Sequence, residues 1–102
     1  MSATEKKAQN YYFRGLIVPS HLIESIDAYV ETGRPTGGFL QACIDNDLRE
    51  ACSRADNDNL PIIPAIVAYL YNECDSGCWG FKGAHDQWVR DKQHDGAINS
   101  DG

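Results

Sequence analysis

No stretch of the chain approaches the roughly eighteen apolar residues that a membrane-spanning helix requires. The first residues, Met1-Ser2-Ala3-Thr4-Glu5-Lys6-Lys7, lack an apolar signal core, so the expected location is the cytoplasm. Cations are scarce: nine Lys and Arg stand against fifteen Asp and Glu, a net charge of -6. That balance argues against direct DNA or RNA binding, which rests on clustered positive charge. It suits a soluble protein, or one that approaches a basic partner. Four cysteines, Cys43, Cys52, Cys74 and Cys78, are present without a secretion signal, and reduced thiols are expected rather than disulfides.

Signatures of chemistry are also missing. No Cys–His or Ser–His arrangement has a local catalytic pattern, and the carboxylates are scattered, so no enzymatic activity is expected. Gly37-Gly38 lacks the spacing and the Lys-Ser/Thr ending of a P-loop. Cys74, Cys78 and His85, with His21 or His94, offer four donors but no second cysteine pair of the zinc-site kind. Neither a metal nor a cofactor is expected.

What is present reads as one small domain of 102 residues. The expected organisation is a disordered tail over 1–10, a single helical domain over 11–91 and a disordered tail over 92–102. The fold class is all-α, with three to four helices. Tyr11–Val18 reads as a short extended segment, an arm or a fraying helix, with no second strand to pair with. Pro19-Ser20 opens a helix whose Leu22, Ile23, Ile26, Tyr29 and Val30 share one face, and Gly33 stops it. Pro35 bars continuation, and Thr36 then caps a long second helix with Leu40, Ile44, Leu48, Ala51 and Ala55 along its apolar stripe. Asp45 with Arg49 and Glu50 with Arg54 stand four apart as outer-face pairs. Asp56-Asn57-Asp58-Asn59 breaks this helix. Residues 61–71 carry no charge, and a helix apolar all round needs cover on most sides. The bundle centre and a subunit interface both supply it, so a homo-oligomer is expected. A short helix carrying Trp88 and Val89 follows Ala84.

Three places stand out as candidate sites. At Thr36, Gly37 and Gly38, the free N–H groups of a helix start beside Arg34 form a potential anion cradle, or else a tight helix–helix connection. Asp47 projects only about 20° from Leu40 on a helical wheel, inside the apolar stripe. A carboxylate there either caps another element or meets a ligand such as a ribose hydroxyl, with Asn46 and Arg54 near it. Among Tyr69, Tyr71, Trp79, Phe81 and Trp88, Trp79 between Cys78 and Gly80 is the best stacking surface, the others reading as core or interface.

The landmarks Tyr29-Val30-Glu31-Thr32-Gly33, Pro35-Thr36-Gly37-Gly38-Phe39-Leu40, Asn46-Asp47-Leu48, Arg54-Ala55-Asp56, Asn59 and Cys78-Trp79-Gly80 make residues 19–88 resemble a family of small phage- and prophage-encoded proteins. The resemblance brings no catalytic assignment. It implies a phage setting inside the host cell, where small acidic proteins counter host defences. Two functions follow as expectations. One is sequestration of a phosphate-bearing nucleotide immune signal by Arg34, the N–H groups after Thr36, Asp47 or Asn46, and an aromatic. The other is inhibition of a host defence protein through an acidic face.

Overall fold

The computed structural model describes the backbone of residues 9–101 and the side chains through Gln93. Tyr11–Phe13 (β1) and Leu16–Val18 (β2) pair antiparallel, Tyr11 opposite Val18 and Phe13 opposite Leu16. The extended segment therefore supplies its own second strand. Arg14 and Gly15, both at positive φ, form the two-residue turn whose twist matches a hairpin. Asn10, expected in the tail, is structural: its Oδ1 accepts the Ser20 N–H at 2.8 Å and caps the first helix from ten residues upstream.

That helix, α1, runs Ser20–Thr32 with Pro19 at the cap position rather than in the first turn. Leu22, Ile23, Ile26 and Tyr29 are buried, each contributing about 1.5–3 kcal/mol of apolar transfer. Gly33 closes it in the left-handed region, its N–H returning to Tyr29 O.

The expected long second helix is two helices, α2 (Gly38–Ile44) and α3 (Leu48–Arg54). Asn46 sits at φ 61, its N–H bonded to Cys43 O, and the Asp47 N–H reaches back to Ala42 O. This is a Schellman ending with asparagine in the left-handed position. The stripe consequently breaks, and Leu48 is left 65% exposed. Asp45 and Arg49 do not share a helix, and Asp45 turns to His85 instead.

Asp56 Oδ1 accepts the N–H groups of Asp58 and Asn59, closing the turn into a 3-10 segment, Leu60–Ile62. The segment feeds α4, Ile63–Glu73, which buries Ile63, Ala65, Ile66, Ala68 and Leu70. A second 3-10 turn, Ser76–Cys78, leads to α5, Ala84–Asp101. The helix thus continues past Arg90 through the segment expected to be a tail. Those residues hold no proline that would break the helix.

The fold is all-α in character: five helices with one three-residue-per-strand hairpin among the described residues. Val18, Ile26, Tyr29, Ile44, Ile66 and Leu70 meet in one core. No described helix is long and apolar enough to cross a membrane.

Candidate functional site

The turn from Arg34 to Leu40 is held from across the chain. His85, 3% exposed, accepts the Thr36 N–H at its Nε2 at 3.1 Å. Nε2 therefore carries no proton, and Nδ1–H donates to Asp86 Oδ1 at 3.0 Å. The imidazole lies flat on the Tyr29 ring, centroids 5.1 Å apart, while its backbone N–H donates to Asp45 Oδ1 at 2.8 Å. Thr36 N–H is thus not available to an external anion. Its hydroxyl turns to Gly37 O, leaving α2 with no side-chain cap. Arg34 is exposed.

Asp47 is the N-cap of α3: its Oδ1 accepts the Glu50 N–H at 3.2 Å. Its misplacement on the helical wheel disappears because the wheel ends at Ile44. The same reversal folds α3 back on α2, bringing Arg54 over Gly38. Arg54 Nη1 comes within 2.9 Å of the point where a β-carbon on Gly38 would stand. Any other residue at 38 pushes the guanidinium away. Glu50 steadies it at 2.9 Å from Nε.

Between α2 and α3 lies an open groove of about 350 Å³ lined by Gly38, Gln41, Ala42, Asp45, Asp47, Glu50 and Arg54. A second depression of about 560 Å³ is walled by Asp45, Asn46, Asp47, Leu48, Lys82 and Gly83. Of the residues singled out from sequence, Gly38, Asp47 and Arg54 meet in the groove and Asn46 joins Asp47 in the depression. Arg34, Thr36, Gly37 and Trp79 line neither. Trp79 is half-buried against the core. The next residue, Gly80, donates its N–H to Ile44 O at 2.7 Å, capping the end of α2.

Sequence reasoning missed Asp45, Gln41 and Glu50 as site residues, and His85 as the element that pins the turn. Asp45 and Glu50 were legible as charges, but only a broken second helix places both beside Asp47. His85 contacts Thr36 across 49 positions, a separation no periodic pattern reveals.

Three thiols and two phenols are held uncharged. Burial pushes Cys43 and Cys74 up to about 12, with lesser additions from the neighbouring Cys52 and Cys78 respectively. Burial likewise raises Cys78, whose thiol donates to Asp75 O, and raises Tyr29 and Tyr69. Tyr69 also donates to Asp27 at 2.5 Å. Thiols so placed are poor nucleophiles and poor metal ligands at neutral pH. The stability consequence has a definite sign. An unfolded cysteine ionises near 9.0 and folded Cys43 near 12, so the unfolded chain releases protons first. Stability is complete below pH 9 and falls as pH rises towards 12. Urea midpoints at pH 8, 9 and 10 should decline in order, and Cys43→Ala should flatten the decline; a level profile contradicts it.

Against known proteins, the chain matches no family model, no curated protein and no solved structure.

Proposed function

We propose that the chain is a non-catalytic binding protein whose α2–α3 groove receives a cationic segment of a partner protein. One observation carries this reading: three carboxylates, Asp45, Asp47 and Glu50, wall an open groove in which Arg54 is the single cation. The chain's net charge of -6 adds a long-range attraction for the same partner. In the phage setting implied by the resemblance, the partner is a host defence protein and the outcome is inhibition by occupancy. Electrostatic steering of this kind acts mainly on the association rate and its salt dependence.

The test neutralises the groove without removing the helix cap. Asn caps as well as Asp, so Asp47→Asn with Glu50→Gln preserves α3 while removing two charges. Against a host protein captured on the immobilised chain, the double variant should associate about tenfold more slowly at low salt and with a flatter salt dependence. An unchanged rate sinks the reading.

A second reading, sequestration of a nucleotide signal, is favoured by the Arg54 guanidinium over Gly38. Arg54 would hold phosphate there and Asp47 or Asn46 a ribose hydroxyl. The three carboxylates oppose it. A nucleotide at a hundred times its Kd stabilises a protein by about 2.7 kcal/mol, an effect readily seen in a thermal shift. A panel of cyclic and ADP-ribose-type nucleotides that produces no shift excludes this alternative and leaves the first standing.

A further inference from the structure

His85 is the one buried polar or charged side chain among the described residues, and the groove does not use it. Its ring is held in the neutral form from three sides. Nε2 accepts the Thr36 N–H at 3.1 Å, Nδ1 donates to Asp86 Oδ1 at 3.0 Å, and one face lies on Tyr29. Only the contact at Nε2 depends on the ring staying neutral. A proton on Nε2 makes that nitrogen a donor, facing the Thr36 N–H, which is also a donor. Neither then has an acceptor, and the pair must part.

The Thr36 side is the one free to move. His85 lies in the first turn of α5, its backbone N–H bonded to Asp45 and its helix anchored by Trp88 on α1. Residues 34–37 belong to no helix or strand, and Arg34, Pro35 and Gly37 are exposed. Among the described residues, the Thr36 N–H makes the only hydrogen bond from 34–36 to another element. We propose that His85 is a proton-operated latch: unprotonated, it holds the connection between α1 and α2 against α5, and protonation releases that connection while the core stays folded. Gly38, beneath Arg54, follows directly, so release reaches one wall of the α2–α3 groove. The latch itself does not depend on what the groove binds.

The groups around the ring pull in both directions. Asp86 on α5 and Asp45 at the end of α2 attract the proton. Burial, the N-terminal end of α5 and Lys82, which lines the same depression as Asp45, oppose it. Tyr29 on α1, with Cys78 beyond it, is uncharged, and Gln41 on α2 shares Asp86 Oδ1 at 3.4 Å. An imidazole released to water takes up its proton below about pH 6.5. The open population therefore grows about tenfold for each further unit of acid.

Amide hydrogen exchange of the full chain, resolved by NMR between pH 7.5 and 5, reads the latch directly. The Thr36 protection factor should fall about tenfold per pH unit below about pH 6.5. Gly33, bonded to Tyr29 O, and Gly80, bonded to Ile44 O, should hold nearly level. His85→Gln supplies an amide oxygen that accepts the same N–H without titrating, and it should abolish the fall. His21→Gln, at an exposed imidazole, should preserve it. Asp86→Asn should move the fall to lower pH, because a carboxylate that attracts the proton is gone. If His85→Gln does not fold, the imidazole nitrogen resonances of the parent chain decide, with Nε2 bare at pH 7.5 and protonated as Thr36 opens. The proposal is overturned by a Thr36 amide as protected at pH 5 as at 7.5, or by a fall that Gly33 and Gly80 share. A fall that survives His85→Gln, or that vanishes in Asp86→Asn or His21→Gln, overturns it equally.

Discussion

Replacing Tyr29 by alanine is expected to lower the free energy of unfolding by about 4 kcal/mol, the upper part of the range for losing a large buried side chain. The ring is fully buried and stacks on His85. Its hydroxyl donates to Cys78 O at 2.7 Å and lies 3.3 Å from Ala84 O, tying α1 to the Cys78 turn and to the first residue of α5. Alanine therefore opens a cavity, strips His85 of its stacking partner and removes the hydroxyl that both carbonyls face. His85 in turn holds the Thr36 N–H, so the Arg34–Leu40 turn loosens as well. A domain of this size has only about 5–15 kcal/mol to lose, so the variant gives up a large share of its stability and should melt well below the parent chain. Tyr29→Phe separates the contributions: it keeps the ring and its stacking and forfeits the hydroxyl, costing about 1–3 kcal/mol. Urea unfolding followed by Trp79 and Trp88 fluorescence measures both. If phenylalanine costs nothing, the hydroxyl is not what joins α1 to the Cys78 turn.

How far the fold was legible depends on which interaction decides each element. The limits of α1 are local: an apolar face at helical spacing and a glycine free to adopt φ 76 are both visible in the string. The hairpin turns on Arg14 adopting a positive φ beside Gly15, a conformation for which arginine has no preference. Asn46 decides between one helix and two, yet in a helix-spaced pattern an asparagine looks like any polar surface residue. That single left-handed residue also determines the site. It moves Asp47 from an anomalous stripe position to an N-cap and swings Arg54 over Gly38. Glu50 and Arg54 were legible as a pair because they stand four apart on one helix, and the structure joins them at 2.9 Å. The His85 contacts were not, since they follow from how α5 docks, and docking is written in burial rather than in spacing.

Gly33→Ala is the second large effect, expected at about 3 kcal/mol or more from two sources. The first is backbone strain: at φ 76 a β-carbon crowds the carbonyl that follows, which costs roughly 1–2 kcal/mol. The second is overpacking. The new methyl would stand 2.4 Å from Lys92 Cβ and 3.5 Å from Val89 O, atoms held by the backbone of α5. A flexible side-chain tip could swing aside, but Lys92 Cβ moves only if the helix moves. The helix is anchored there by Trp88, whose Nε1 donates to Tyr29 O and Val30 O at 3.1 Å each. Relief therefore stretches those bonds and exposes the indole, giving a red-shifted emission along with the lower midpoint. Gly15→Ala supplies the reference, because Gly15 has φ 82 and nothing within 4 Å of its would-be β-carbon. It carries the strain without the clash. The difference between the two variants reports the α1–α5 contact alone. Equal losses would mean that α5 gives way freely at Lys92, and that the glycine closes α1 without setting how closely α5 packs on it.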